Sequence, residues 1–287
     1  LTKTEKTKTL ITKMNLIKSS VEEWVQENSL QGAYKQIEKA ARICYKSELG
    51  KNPAEFVDKL VSNGHMAMLE HGIIYLCIEY NHLAHNPALN QSVNKLLSSP
   101  YVKFRTLDIN GRPTEWHITA NMRVFYELSV LELLQYAVTP DDSYEKARCF
   151  HFVLNRAIAN EFVRHRKFSF AQESTRFCNY SKDKFDNQVT FVISDEVENS
   201  SSKDLFKRAM ADAERHYLTA LKDGLKPEEA RDLLPLSTKT ELIMTGFLSD
   251  WQHFIDLRSI GSTGRPHPEA KKLADQVKDI LYGSEKA

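Results

Sequence analysis

The chain has 287 residues, 41% of them hydrophobic, which allows one large domain or two ordinary ones and a substantial buried core. Its formal charge of +1 excludes a global field that would recruit nucleic acid or membrane, so any anion binding must be local. Cys44, Cys77, Cys149 and Cys178 are scattered without a Cys-x-x-Cys, which indicates a reducing compartment and argues against a thiolate zinc site. No apolar run approaches membrane-spanning length, and a cytoplasmic location is expected.

Residues 1–13, rich in Lys and Thr, read as a leader or an appended remnant, leaving 14–287 as a single domain. Ser20 and Glu23 form a capping-box pattern that predicts a short helix. Ile37, Ala40, Ala41 and Cys44 recur at helical spacing, and Asn52-Pro53 opens a further helix that runs to Gly64. Glu70 and His71 stand immediately before a strand-like run, Gly72 to Tyr80. Residues 81–100 look like a polar insertion or a short helix with loose flanks. His82 and His85 there have a spacing a metal could use, but with no third ligand nearby they read as surface. Asn110-Gly111 between two apolar runs predicts a hairpin, and a helix is expected from Met122 to Tyr136, with Val124, Leu128, Leu131 and Leu134 inward.

Residues 149–154 predict a buried strand, and 155–165 a helix that places Arg164, His165 and Arg166 at its C-terminal end. If the following stretch is extended, Gln172, Ser174 and Arg176 form one polar row. Another strand is expected at 189–194, a linker at 199–204, and an amphipathic helix from Leu205 to Leu221 stopped by Gly224. Pro227 opens a short helix carrying Arg231. Thr238 and Glu241 then form a second capping box that predicts a long helix, Lys239 to Arg258, with Ile243, Phe247, Trp251 and Phe254 on one face and Arg258 at its end. The fold class expected is α+β, a mostly antiparallel sheet with packed helices.

Chemistry concentrates between Glu161 and Tyr180, where arginines, hydroxyls and amides interleave with aromatic rings. Such donors suit a ligand rich in phosphate and carbonyl oxygens. A solvated helix end is the plainer alternative, since cations in a last turn also favour the helix dipole. No Gly-x-Gly-x-x-Gly, Walker lysine loop, His-Glu-x-x-His or Gly-x-Ser-x-Gly is present. Ser174 has no His-carboxylate pair placed by sequence to activate it, so a hydroxyl that donates to phosphate is the simpler role. A site without its own acid-base engine must borrow reactivity, most simply from an organic cofactor.

Arg164-His165-Arg166, seven residues, then Ser174 with Arg176 two further on, resembles the signature of flavin-dependent thymidylate synthases. AARICY (40–45), GHMAMLEH (64–71), ARDLLPL (230–236) and WQHFIDLR (251–258) resemble family segments in the same order, while 81–147 matches weakly and reads as a subgroup expansion. The resemblance implies reductive methylation of dUMP to dTMP with FAD as cofactor and NADPH and 5,10-methylenetetrahydrofolate as co-substrates. It also implies a homotetramer with active sites between subunits, and neither membrane nor nucleic acid as partner.

Residue by residue, Ser174 and Arg176 resemble the phosphate-binding pair, with Glu173 and Thr175 lining dUMP through backbone groups. Arg231 resembles an arginine that reaches dUMP from a neighbouring subunit. Arg258 resembles the catalytic arginine that binds the uracil and polarises its carbonyl. Arg164, His165 and Arg166 resemble the FAD-contacting triplet, with His71 and His253 beside the flavin. Glu161, Arg164 and Gln172 are placed with dUMP, and Arg164 and Gln172 with the cofactor also. This chain departs from the family at Gln172 (often Glu), Glu161 (often Gln), Phe247 and Ser249 (Asn and Arg), Cys44 (a small hydroxyl residue) and Phe177 (Tyr). Two other readings stay open: a catalytically silent nucleotide- or RNA-binding module, and a flavin and folate methylase of another uracil substrate.

Overall fold

The computed structural model describes residues 15–283 other than Asn110 and Gly111. The expected leader and the turn dipeptide itself lie outside the described residues. Strand β1 (Asn15–Ile17) runs parallel to a distant partner, and β2 (Ser20–Glu23) lies at a sheet edge. The capping-box residues Ser20 and Glu23 are therefore in a strand and not a helix. Val21 and Glu23 alternate with more exposed neighbours, and the period-2 pairing with a buried strand overrides the local cap signal.

Helix α1 (Leu30–Ile43) starts at Ser29, whose side chain accepts from the Gly32 N–H, and α2 (Pro53–Ser62) starts at Asn52, with Pro in its first turn. A 3₁₀ turn, Met66–His71, leads into β3 (Ile73–Glu79). At Gly72 an added Cβ would lie 2.6 Å from Ile37 Cδ1, so the close approach of this strand entry to α1 requires glycine.

Helices α3 (Tyr80–His85) and α4 (Pro87–Leu97) precede the hairpin of β4 (Lys103–Ile109) and β5 (Arg112–Asn121). His82 and His85 are exposed, as expected. The helix expected over 122–136 is broken. Helix α5 (Met122–Glu127) stops before Ser129, which adopts φ 54°, and a 3₁₀ turn covers Leu131–Tyr136. The break shifts the helical phase, so Leu133 enters the core and Leu131 is exposed.

Strand β6 (Ala147–Asn155) feeds α6 (Arg156–Phe162), capped by the Asn155 side chain, and then β7 (Ser169–Gln172). Strand β8 (Thr190–Val192) pairs with β1; α7 (Asp195–Glu198), the long α8 (Lys203–Lys222) and the short α9 (Pro227–Ala230) follow. The helix expected from Lys239 is instead strand β9 (Lys239–Phe247). Only from Leu248 does the chain become helical, as α10 (Leu248–Ile255), with α11 (Pro268–Tyr282) closing the described chain. Strand β9 lies between β6 and β7 and buries its seven interior residues, so both faces are buried and no alternation of buried and exposed positions was there to read.

Two antiparallel sheets result: β2-β6-β9-β7, and β3-β5-β4; the β1-β8 pair is parallel. The mostly antiparallel α+β architecture is as expected. One core packs α6, α10 and α11 on β6 and β9, with Phe152, Phe162, Trp251 and Phe254 fully buried. A second joins α1, α2, α4 and α5 to the three-stranded sheet, so residues 81–147 supply two of its strands and much of its core. A small cluster of Trp24, Ala40, Cys149, Ala171 and Ile243 ties α1 to the four-stranded sheet. Among the described residues, no helix is long and apolar enough to cross a membrane.

Candidate active site

Helix α10 does not end in an ordinary cap but widens into a π-helical turn, Asp256–Ile260, closed by Gly261 at φ 79°. Such a turn re-aims one side chain against the preceding face and is frequent at functional sites. Here that side chain is Arg258. Its Nε donates to His165 Nε2 at 3.0 Å, its Nη1 to Glu161 Oε2 at 2.7 Å and its Nη2 to the Glu161 carbonyl at 3.1 Å. A guanidinium has five N–H donors, so two remain for a ligand while the fork is held from three sides.

The acceptor at His165 requires a neutral imidazole with a free Nε2 lone pair. Burial, then the neighbouring Arg258 and His253, bring its pKa down to about 4, so it is neutral at physiological pH. Both groups border a cavity of about 310 Å³, together with Arg164, Arg166, Lys167, Phe168, Asp250, His253 and Leu257. Arg164 and Arg166 are exposed and have no ion-pair partner among the described residues, whereas Lys167 is 3.8 Å from the buried Asp250. Phe168 packs against Gly246, where an added Cβ would lie 2.6 Å from its ring, and this fixes the loop that carries the triplet.

The extended row expected for Gln172, Ser174 and Arg176 does not form. Strand β7 ends at Gln172, and the chain turns at Ser174, whose carbonyl accepts from the Phe177 and Cys178 N–H groups. Gln172 is held by Thr240, Thr175 is buried, and Arg176 is exposed, donating to Glu228 at 3.2 Å and lying over the Phe177 ring. That pair brings the α9 segment to the turn. Arg231, in the 3₁₀ turn just after α9, is exposed and without an ion-pair partner among the described residues. The Ser174 N–H is spent on the Cys44 carbonyl and the Glu173 N–H on the Glu241 carbonyl.

Beneath this turn lies an ionic network that no sequence pattern announced. Glu173, 1% exposed, accepts from Lys239 Nζ at 2.8 Å and from the Tyr180 hydroxyl at 3.0 Å. Lys239 also donates to Glu241 at 2.5 Å, and Glu241 in turn meets Lys46 and His151. Burial alone would raise the Glu241 pKa, but the His151 hydrogen bond and the two lysines hold it well below the carboxylate range. Burial alone would lower Lys239; its two carboxylates carry it above the usual lysine value.

His71 is fully buried. Its Nδ1 lies 2.8 Å from Thr245 Oγ1 while Nε2 has no hydrogen-bond partner among the described residues, and desolvation brings its pKa down to about 4. Gln36 Nε2 and Arg148 Nε are also buried without partners among the described residues, and all three residues line one cavity of about 210 Å³. Next to His71, Glu70 binds Arg123 of α5 and Ser169 of β7, each at 2.6 Å, joining the two sheets at this point.

The two neutral histidines set an acid limit. The unfolded chain titrates histidine near 6.5 and the folded one near 4, so between these values the unfolded state binds more protons and stability falls as pH falls. For His71 alone the loss should reach roughly 2 kcal/mol by pH 5, from 1.36 kcal/mol per pKa unit. Urea midpoints at pH 7 and pH 5 measure it; an unchanged or higher midpoint at pH 5 would contradict neutral burial.

Comparison with known proteins follows the same residues. The family described as Thymidylate synthase complementing protein matches residues 147–283, the span that carries β6, α6, the Arg164–Arg166 triplet, the Ser174 turn, Arg231 and Arg258. A probable flavin-dependent thymidylate synthase of Paramecium bursaria Chlorella virus 1 is 32% identical over 141 residues, 44% of this chain and 62% of the relative. The flavin-dependent thymidylate synthases of Synechocystis sp. (32% over 132 residues, 42% and 61%) and Pyrococcus abyssi (30% over 105 residues, 36% and 42%) are similar too. The chain thus spans about two fifths to three fifths of the length of these relatives. A crystal structure of a UMP/dUMP methylase PolB from Streptomyces cacaoi bound with 5-Br UMP has a TM-score of 0.45 at 16% identity, over 93% of this chain and 91% of that one. With Arg164, His165 and Arg166 lining the cavity that Arg258 borders, residues 147–283 match the family described as Thymidylate synthase complementing protein, and the chain is similar to flavin-dependent thymidylate synthases over part of its length.

Proposed function

We propose that the protein methylates dUMP to dTMP reductively, with FAD as cofactor and NADPH and 5,10-methylenetetrahydrofolate as co-substrates. The observation that carries the reading is the Arg258 fork, held by Glu161 and a neutral His165 at the edge of a cation-lined cavity with two N–H donors to spare. A flavin, when bound, supplies the redox chemistry that no side chain here can. The residues fit such a group. Arg164 and Arg166 offer unpaired cations to a pyrophosphate, while the orphaned polar atoms of Gln36, Arg148 and His71 match the carbonyls and ring nitrogens of a heteroaromatic.

In this reading Arg258 hydrogen-bonds the uracil carbonyl, where negative charge develops, and the Glu161–His165 clamp spares it the cost of reorienting. Neutral His165 keeps the cation on Arg258 and away from itself. Ser174 and Arg176 take the phosphate, which requires Arg176 to exchange Glu228 for the ligand, and Glu161, Gln172, Glu173 and Thr175 shape the nucleotide site around them. Arg231, exposed and without an ion-pair partner among the described residues, completes the site of a neighbouring subunit in a homotetramer. His253 lies beside His165 at the flavin end, their ring centroids 6.5 Å apart.

The purified chain should carry or take up FAD, and adding dUMP should perturb the bound flavin's visible absorption. A folded chain that binds no flavin, or a flavin spectrum indifferent to saturating dUMP, would defeat the proposal.

A further inference from the structure

The cysteine spacing offers no metal motif, yet the β3–β5 register places Cys77 directly opposite His117, with Glu115 two residues along the same strand and therefore on the same face. We propose that Cys77, Glu115 and His117 form a site for a divalent transition metal, with zinc the ion that their donor set selects. The cluster shares no residue with the Arg258 cavity.

Two of the three donor–donor separations lie close to the edges of a tetrahedral site. Glu115 Oε2 lies 3.5 Å from Cys77 Sγ and 3.0 Å from His117 Nε2, and one donor atom from each residue falls within 4.8 Å of the others. Zinc bonds of about 2.3 Å to sulfur and about 2.0 Å to oxygen and nitrogen, at a tetrahedral angle, demand edges of about 3.5 Å and about 3.3 Å. Thiolate, imidazole and carboxylate together favour zinc over calcium or magnesium, which take oxygen ligands.

The proton inventory points the same way. His117 Nδ1 is 2.5 Å from Ser143 Oγ, and that hydroxyl is also bonded to the Asp141 carboxylate. A carboxylate cannot donate, so the serine proton goes to Asp141 and His117 Nδ1 must be the donor to Ser143. A neutral imidazole so oriented turns the Nε2 lone pair on the Glu115 carboxylate, an arrangement that a metal ion between them would satisfy. This carboxylate–serine–histidine chain is the kind of outer support that fixes a ligating imidazole. His117 is 6% exposed and stacks on Tyr144, with centroids 4.4 Å apart and planes 8° apart, so the ring cannot swing away.

Arg105, the register partner of His117 on β4, is exposed, so the two negative charges of thiolate and carboxylate balance the ion by themselves. Cys77 and Glu115 are half-buried, which leaves the fourth position to water. The one plain competitor is an imidazolium at His117 paired with Glu115, which needs no metal.

Titrating the chelator-treated full chain with Co²⁺ separates the two. Expected are a thiolate-to-cobalt charge-transfer band and intense tetrahedral visible bands at one ion per chain, displaced by Zn²⁺. The charge-transfer band should vanish in Cys77→Ser, and affinity should weaken about 10–100-fold in Ser143→Ala. Circular dichroism and the unfolding midpoint confirm that each variant is folded, and Ser143→Ala, at a loop hydroxyl, carries the test if Cys77→Ser does not fold. Absence of the band in the folded wild type, or its persistence in Cys77→Ser, overturns the proposal.

Discussion

Replacing Arg258 with alanine is expected to lower dUMP turnover about 10²–10³-fold, the cost of deleting one preorganised donor at a site of developing charge. Flavin content per chain should change little, because Arg164, Arg166 and the His71 cavity are untouched. Stability should change little as well, since Glu161 is about a third exposed and can be rehydrated. Arg258→Lys should recover only a small part of the rate. An ammonium keeps the charge but cannot donate to His165 and to both Glu161 oxygens in one plane. Glu161→Gln should fall between wild type and Arg258→Ala, because it loosens the clamp without removing the donor. Initial rates and flavin absorbance on the same preparations check this. Arg258→Ala turnover within about tenfold of wild type would remove the electrostatic role.

Lys239→Met should cost roughly 3–5 kcal/mol of stability, because it leaves the fully buried Glu173 carboxylate with only the Tyr180 hydroxyl as partner. The loss should be read as a lower denaturant midpoint at unchanged m-value. The double variant Lys239→Met with Glu173→Gln should regain much of it, since breaking one side of a buried pair costs more than removing the charge from both. Lys46 and His151 still hold Glu241, so the damage should centre on the Glu173–Tyr180 turn and weaken dUMP binding. A single variant as stable as wild type would show that the network is hydrated and not structural.

What could be read before the fold was known divides along physical lines. Asn52-Pro53 and the apolar stripes of α1 and α8 are local signals, and they formed as expected. Thr238 and Glu241 carried a local helix signal too, yet β9 is a central strand whose seven buried positions answer to two neighbouring strands. Ser20 and Glu23 failed for the same reason at a sheet edge.

The Arg-His-Arg half of the spaced signature lines the cavity that Arg258 borders, whereas Ser174 and Arg176 are not among its lining residues. The clamp on Arg258 could not be found from that signature. Its partners Glu161 and His165 lie 97 and 93 residues away, and a π-helical turn, which has no sequence signature, aims it at them. Lys239 and Glu241 became network residues only once their helix was recognised as a strand, with the intervening Thr240 turned to the other face. The expected row of Gln172, Ser174 and Arg176 was lost because the chain turns at Ser174, a change that short-range polarity does not announce.

Release of tritium from C5-tritiated dUMP tests the central claim most directly. The FAD-loaded chain should release it when NADPH and 5,10-methylenetetrahydrofolate are both present and form dTMP in equal amount. Folded, flavin-loaded protein that releases tritium without forming dTMP, or releases none, would contradict the assignment of a dUMP methylase.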